Sequence, residues 1–285
     1  MRPGSFTVLL LTAGLGIHAT ASARAVEPAA ACDAMASHRY DRDRPEGVAG
    51  NTSIAKTRAA EAAKACAAAA QVKDAHRRMH FQLGRALEFE ERYEEAAKEY
   101  EIAANAGSGA GMIGVAVLHV HGLGLPQDWA KARDWFEKAA AAGDPIGMAN
   151  LGSVYGGGMG VETDMAIARQ WFEKSAAAGY SEAMFQLGLM DQDGDGAPKN
   201  EGSAKAWFEK AAAKDHAGAL LVLGEYAEQG RAGDKDEKAA LAFYSKAAEL
   251  GDEEAAAALE RLRCPFSLKD KDGKPAGRVC FDGKK

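Results

Sequence analysis

The sequence predicts an all-α protein built as an α-solenoid, and two observations lead to this prediction. Alanine supplies 63 of the 285 residues, which favours helices because alanine loses no side-chain entropy in a helix and buries little surface on a sheet. The middle of the chain also repeats with a period of 36 residues, as solenoid sequences do. This composition excludes an all-β sandwich or barrel. Charged residues at 27% and apolar residues at 47% exclude intrinsic disorder and a polytopic membrane protein.

The first residues have the features of a secretory signal peptide. Arg2 gives a positive start, residues 6–17 (FTVLLLTAGLGI) are apolar, and Ala21 to Ala23 form a small-x-small cleavage motif. The apolar stretch is too short to span a bilayer as a helix, so we expect cleavage after Ala23 and no integral membrane span afterwards; the alternative is a buried N-terminal helix. Cys32 is too far from the motif for a lipoprotein. We therefore expect an exported protein, periplasmic or secreted.

Four cysteines follow the predicted signal peptide, and an even number of cysteines in an oxidising compartment indicates disulfides. Four cysteines allow three pairings. We favour Cys32–Cys66 and Cys264–Cys280, because each of these pairs lies at one end of the chain. A zinc site built from all four thiolates is the alternative, but no two cysteines have the short spacing that lets one turn supply two ligands.

The segment after the signal peptide, residues 24–76, is predicted to be a helical cap. Residues 54–72 are rich in alanine and form one helix, which needs tertiary packing to be stable. A disulfide between Cys32 and Cys66 would attach the polar segment at residues 37–51 (SHRYDRDRPEGVAGN) to this helix.

Four columns of residues recur every 36 residues in the middle of the chain. The first column is an aromatic pair, the second is a leucine column, the third is a small residue before the aromatic pair, and the fourth is a terminating glycine. In order, the columns are Trp135-Phe136, Trp171-Phe172, Trp207-Phe208 and Phe243-Tyr244, with Tyr100 one period upstream; Val115, Leu151, Leu187, Leu223 and Leu259; Ala132, Ala168, Ala204 and Ala240; and Gly107, Gly143, Gly179 and Gly251, with Asp215 in the fourth position.

Each repeat is predicted to contain two helices, which we name helix A and helix B. In one repeat, helix A covers about residues 145–155, with Asp144 as its N-cap, and helix B covers about residues 164–178 and ends at Gly179. A glycine-rich loop joins them. Because neither helix can bury its apolar side alone, the repeats must stack around a continuous core.

These residues resemble the Sel1-like repeat family, a relative of the tetratricopeptide repeat. The family pattern is complete at residues 147–180 apart from Gly147 in place of the first alanine, and nearly complete at 183–215 and 219–251. The copy at 111–143 departs from the pattern at Val115-Ala116 and His119, and the copy at 79–107 has a loop four residues shorter. The resemblance covers residues 77–262, and it implies a right-handed superhelix that binds other proteins as a scaffold or regulator.

The C-terminal residues 263–285 are predicted to form a second cap. An additional helix A at residues 253–263 carries Leu259 in register. The following FSLKDKDGKPAGRVCF segment has the pattern of a β-hairpin, with Gly273 in its loop. The Cys264–Cys280 disulfide would close this hairpin, which two strands alone stabilise poorly.

Three short motifs suggest chemistry, and each has a structural alternative. Ser53 and Lys56 match the S-x-x-K motif of penicillin-recognising enzymes, but the S-D-N and K-T-G elements are absent, and Ser53 suits an N-cap. Residues 191–196 (DQDGDG) imitate half of a calcium loop, whose bidentate glutamate position is Gly202; they also align with an ordinary repeat loop. His119 and His121 lie about 200° apart on a helix, which disfavours a shared metal. We expect no catalytic site, metal or cofactor.

The resemblance places the concave surface of the solenoid on the A helices, two positions before and after the leucine column. The alternative is that some of these residues are core between layers. The residues at these positions form an apolar strip with charged edges, which suits an amphipathic helix or an extended peptide. Its residues, which we name the A-helix face, are Ile113, Val117, Ala149, Ser153, Phe185, Leu189, Leu221 and Glu225, flanked by Arg78, Phe81, Arg85 and Glu182.

The sequence therefore predicts a monomeric protein-interaction scaffold or regulator of the cell envelope. The net charge of −6 and the lack of a dense Lys/Arg run argue against nucleic acid as a partner. The alternative function is a cell-envelope hydrolase of the β-lactamase or penicillin-binding type, with Ser53 as its nucleophile.

Overall fold

The computed structural model describes residues 27–38, 41–48, 54, 56–264, 266–269 and 275–279. These residues form thirteen helices and two short strands, and the predicted signal peptide lies outside them. The helices are α1 (Pro28–Ala36), α2 (Lys56–Ala70), α3 (Arg77–Phe89), α4 (Tyr93–Asn105), α5 (Gly109–His121), α6 (Trp129–Ala141), α7 (Pro145–Gly157), α8 (Met165–Ala177), α9 (Ser181–Asp193), α10 (Glu201–Ala212), α11 (Ala217–Gln229), α12 (Glu237–Glu249) and α13 (Glu253–Arg263), and the strands are β1 (Phe266–Lys269) and β2 (Pro275–Val279).

Helix pairs stack in chain order, as the repeats predict. The odd-numbered helices from α3 to α13 are the A helices and the even-numbered helices from α4 to α12 are the B helices; each helix packs on the one before and the one after it. Among the A helices, α3 also contacts α5, and α5 contacts α7. The α3–α4 connection spans residues 90–92 and the α5–α6 connection spans residues 122–128, which confirms the shorter loop in the first repeat.

Capping residues define where the repeated helices begin and end. The B helices α6, α8, α10 and α12 begin after Asp128, Asp164, Asn200 and Asp236, whose side chains accept a backbone N–H of the first turn. Helix α7 was predicted to end near residue 155, but it continues to Gly157, because the left-handed cap that ends it is Gly158 (φ +65°). Asp215 takes the place of a terminating glycine and adopts the same left-handed conformation, with φ +59°.

The leucine column and the second aromatic residue of each pair form the core, as the repeat pattern predicts. Leu151, Leu187 and Leu223 are at most 1% exposed, and Phe208 and Tyr244 are equally buried. Small residues between them, such as Ala168 and Ala204, are completely buried. They let adjacent helices pack closely.

The N-terminal cap contains one helix more than the sequence analysis predicted. Helix α1 packs on α2 and α3 and buries Cys32 and Ala36 completely. The predicted Cys32–Cys66 disulfide is present and joins α1 to α2. Helix α2 is shorter than the predicted residues 54–72, because it begins at Lys56 and ends at Ala70.

At the C-terminal end, α13 has the predicted bounds, and β1 and β2 pair in antiparallel fashion, with Phe266 opposite Val279. The residues between the strands and Cys280 lie outside the described residues. Cys264 is disulfide-bonded, and closure of the hairpin by Cys280 stays a prediction. Along the described part of the chain, each helix is too short or too polar to cross a bilayer.

Candidate functional site

The calcium-loop alternative at residues 191–196 does not fit the geometry. Asp191 is buried, and its carboxylate accepts hydrogen bonds from Arg169 Nη2 (2.5 Å) and from the Ser203 hydroxyl. The backbone N–H of Asn200 donates to the Asp191 carbonyl at 2.8 Å. The same bond closes the loop of the preceding repeat, from Asp164 to Tyr155. Asp191 therefore stabilises an ordinary repeat loop.

The two histidines of α5 do not come together either. His119 is buried, with Nδ1 at 3.0 Å from the Pro126 carbonyl, whereas His121 is exposed. Among the described residues, no three His, Cys, Asp or Glu side chains are arranged to hold a metal ion. Ser53, the serine of the S-x-x-K motif, lies outside the described residues.

The first part of the A-helix face forms a shallow cavity. Ile113 and Val117 are partly exposed, and together with Phe81, Arg85 and Ile146 they line a space of about 200 Å³. This cavity spans α3, α5 and α7. His38, which precedes the first repeat, covers one side, and its ring lies edge-on to that of Phe81 with the centroids 6.5 Å apart.

The middle of the A-helix face divides between core and surface. Ala149 is only 6% exposed, so this residue is core between layers, the alternative that the sequence left open. Ser153, one turn further along α7, is exposed, and its hydroxyl donates to the Ala149 carbonyl at 3.3 Å. Ser153 is therefore the surface residue of this helix turn.

Phe185 has two roles on the face. Its ring is partly exposed, stacks on the His216 ring at 4.6 Å and lies 5.7 Å from the Phe208 ring. His216 is the N-cap of α11 and also bonds the Glu182 carboxylate at 2.9 Å; this hydrogen bond lowers the pKa of Glu182. Phe185 thus contributes both to the contact between α9 and α11 and to the apolar strip, where Leu189 follows it.

The last part of the face is acidic. Leu221 and Glu225 line a cavity of about 410 Å³ with Glu254, Ala258 and Arg261. Burial raises the pKa of Glu225, and the neighbouring Glu254 carboxylate raises it further. Arg261 forms two hydrogen bonds of 2.7 Å with Glu228. Its charge is therefore directed at Glu228 and not at Glu225.

A charged segment before the repeats also contacts the A helix α3 and the end of the B helix α6, a position that no sequence pattern predicted. Arg42 Nη1 donates to the carbonyls of Ala142 (3.3 Å) and Gly143 (2.9 Å) at the end of α6. Asp43 accepts two hydrogen bonds from Arg77, at 2.6 and 2.7 Å. The run of alternating Asp and Arg in residues 41–44 was the only signal, and it does not specify a partner 100 residues away.

Asp41, at the start of this segment, is buried beside charged groups. It is 5% exposed, and its Oδ1 accepts the backbone N–H of Asp43 at 2.9 Å. Burial raises its pKa to about 6, and the Asp43 carboxylate acts in the same direction, whereas Arg78 and Arg85 oppose the shift. Burial therefore makes the ionised carboxylate of Asp41 less stable than that of an exposed aspartate.

A family model described as Sel1 repeat matches four consecutive units of the chain, at residues 109–144, 145–180, 181–216 and 217–252. Each unit begins with an A helix and contains the following B helix. Among curated proteins, none matches the chain.

Two solved structures show the similarity of fold. A Sel1 repeat protein from Oxalobacter formigenes is 28% identical, with a TM-score of 0.65, over 73% of this chain and 88% of that chain. The protein c5321, a protective antigen of uropathogenic Escherichia coli with an SLR fold, is 28% identical, with a TM-score of 0.58, over 73% of this chain and 47% of its own length. This chain therefore spans about half the length of c5321.

The four matched units cover half of the residues and coincide with the helix pairs α5–α12. Sel1 repeats mediate protein–protein interactions, and proteins built from them are generally interaction scaffolds. The chain belongs to the Sel1 repeat family.

Proposed function

We propose that this chain is an exported scaffold or regulator in the periplasm, and that it binds a segment of a partner protein on the A-helix face. The observation that carries the proposal is the set of partly exposed apolar side chains on the A helices α5, α9 and α11, namely Ile113, Val117, Phe185, Leu189 and Leu221. Such a strip suits an amphipathic helix or an extended peptide. In this proposal residues 24–76 and 263–285 cap a right-handed solenoid of residues 77–262, and the protein is a monomer.

Export is supported by two features. The signal-peptide pattern of residues 1–23 predicts it, and the disulfide between Cys32 and Cys66 is typical of an oxidising compartment. The disulfide joins two helices of the N-terminal cap, next to the first repeat.

The hydrolase alternative is not favoured. Its only sequence signal is the Ser53 motif, which lies outside the four family-matched repeats. A binding role instead uses the repeated part of the chain, which makes up most of the described structure.

The proposal is tested by crosslinking the tagged protein in the cell envelope of its host, followed by mass spectrometry. Ser153→Arg adds a long charged side chain to the middle of the face without removing a core residue, and it should abolish recovery of the partner. Glu173→Arg is the matched control, because Glu173 is an exposed residue of the B helix α8 in the same repeat.

The variant Phe185→Glu with Leu189→Glu tests the apolar strip directly. Because Phe185 also contacts His216, its thermal unfolding must be measured beside wild type. Partner recovery that is unchanged in Ser153→Arg and in a folded Phe185→Glu/Leu189→Glu variant would refute the A-helix face as the binding site. Labelling of Ser53 by a β-lactam probe would instead support the hydrolase.

A further inference from the structure

We infer that the charged segment before the repeats is an autoinhibitory strap, which covers the first part of the A-helix face and competes with the partner for it. The strap consists of His38 and residues 41–48 among the described residues, and Ser37 before it is completely buried and accepts a hydrogen bond from Gln82 at 3.1 Å. The inference rests on the proposed function, because it concerns the same face. It adds that the face has a closed and an open state.

The strap crosses two repeats by contacts at helix ends. Arg42 binds the carbonyls that end α6, and Asp43 binds Arg77, which itself donates to the carbonyls of Ala106 (3.1 Å) and Gly107 (2.9 Å) at the end of α4. A helix C-terminus has unsatisfied carbonyls and partial negative charge, so it attracts a guanidinium group. These contacts hold the strap over the beginnings of α3, α5 and α7.

The part of the strap at His38 covers apolar residues of the face. His38 lines the cavity formed by Phe81, Ile113 and Val117. The carbonyl of Ala36, next to the strap, accepts a hydrogen bond from Arg85 Nη1 at 2.6 Å, which holds this end over α3. A partner segment that follows the apolar strip from α9 toward α3 therefore meets the strap at α5.

The attachment is weak enough to be reversible. Arg42 and Asp43 hold the strap on the repeats by hydrogen bonds and an ion pair at helix ends, and Arg42 is exposed to solvent. Asp41 opposes docking, because its Oδ2 atom is buried with no hydrogen-bond partner among the described residues, and a buried unsatisfied acceptor destabilises the closed state. A segment held in this way opens locally at much lower free energy than the whole protein.

The disulfide keeps the strap close to the face after it opens. Cys32 in α1 is bonded to Cys66 in α2, so the helix that precedes the strap stays attached to α2, which packs on α3 of the first repeat. The strap then acts as an intramolecular competitor at high effective concentration. A partner has to bind tightly enough to displace it.

Hydrogen–deuterium exchange on the full chain tests the closed state. Arg42→Ala removes the donor to the α6 carbonyls and should speed exchange of residues 41–48 about tenfold, the effect of losing one charge-assisted hydrogen bond. Arg42→Lys keeps a cationic donor and should restore slow exchange. Arg44→Ala is the matched control, because the Arg44 side chain forms no hydrogen bond or ion pair among the described residues, and it should behave as wild type.

Binding of the dye 1-anilinonaphthalene-8-sulfonate tests whether opening exposes the face. Its fluorescence should rise several-fold in Arg42→Ala and return toward the wild-type value when Ile113→Glu is added. Unchanged exchange and dye binding in Arg42→Ala would overturn the inference. Faster exchange spread through the cores of α3 to α7 would also overturn it, because the strap would then be a structural staple.

Partner crosslinking separates this inference from the proposed function. We expect Arg42→Ala to increase partner recovery and Ser153→Arg to abolish it. If Arg42→Ala opens the strap without increasing recovery, while Ser153→Arg still abolishes it, the autoinhibitory role is wrong and the proposed function stands. If neither Ser153→Arg nor the folded Phe185→Glu/Leu189→Glu variant has an effect in either background, the proposed function is wrong.

Discussion

The ring of Phe172 in α8 packs directly on the backbone of Gly152 in α7, where a Cβ atom would come within 2.8 Å of the ring. Gly224 has the same relationship to Tyr244, with a distance of 2.5 Å, so the close approach recurs within helix pairs. This close approach explains why glycine follows the leucine-column residue at Leu151-Gly152 and Leu223-Gly224. The aromatic ring of helix B occupies the space that a side chain of helix A would need.

This contact predicts opposite effects for two glycines of the same helix. Gly152→Ala should destabilise the protein by about 1–2 kcal/mol, because the new methyl group overpacks the core. We expect a moderate value because the repeat already accommodates an alanine, Ala116, at the equivalent position of α5. At Gly156 a Cβ would lie 3.5 Å from Ala168, an ordinary contact. Gly156→Ala should therefore stabilise α7 by about 0.5–1 kcal/mol through helix propensity. Urea unfolding of both variants checks the pair, and equal effects would contradict the steric explanation.

The stability of the strap should fall as the pH rises. The pKa of Asp41 is raised from 3.8 to about 6 by burial, so the closed state is most stable below about pH 4, where the carboxyl group is neutral, and ionisation of the buried group destabilises it as the pH rises through 6. The full effect of this group is about 2–3 kcal/mol. Asp41→Asn stays neutral and should remove this loss.

The measurement is the exchange rate of residues 41–48 between pH 4 and pH 8, corrected for the intrinsic pH dependence of exchange. Other carboxyl groups titrate in this range, so the quantity compared is the difference between wild type and Asp41→Asn. A difference that does not change with pH would show that Asp41 does not titrate in the folded protein.

Asp215 occupies a left-handed position that a glycine fills in the equivalent turns at Gly107, Gly143, Gly179 and Gly251. Asp215→Gly should be more stable than Asp215→Ala by about 1–2 kcal/mol, because a left-handed conformation strains alanine but not glycine. Both variants lose the ion pair between Asp215 and Lys246 (2.6 Å), so its loss cancels in the comparison. Thermal unfolding of the two variants provides the test, and equal midpoints would argue against backbone strain at this turn.

The Cys32–Cys66 disulfide should stabilise the N-terminal cap and leave distant repeats unaffected. The two cysteines are 34 residues apart in sequence, and a loop of this size corresponds to about 3–4 kcal/mol on the loop-entropy model. Because each repeat contacts only its neighbours, replacing both cysteines by alanine should speed hydrogen exchange in α1 to α3. Exchange in α11 and α12 serves as the internal control, and an equal increase there would contradict the one-dimensional stacking.

Most of the repeat architecture was predictable from the sequence, since it depends on local rules that recur. Asp144 at the start of α7 and Gly179 after α8 are capping residues whose effect acts within one turn of helix. Leu151, Leu187 and Leu223 and the second aromatic residue of each pair are buried because a period of 36 residues places the same residue on the same side of each helix pair. The predicted A-helix face was only partly distinguishable from the core, because Ala149 and Ser153 differ in exposure although both lie two positions from Leu151.

By itself, the sequence determined the helix pairs and their order, because capping, periodicity and small-residue packing act between neighbours in the chain. It only favoured the pairing of Cys32 with Cys66 among three possible pairings, and the structure contains that disulfide. Only the tertiary structure decided that α1 forms and packs on α3, that His216 joins Glu182 and Phe185, and that Arg42 reaches the end of α6. These contacts connect residues from different layers or from segments 100 residues apart. No local pattern specifies them, because polar side chains find their partners only after the stacking of the repeats has brought the helix ends together.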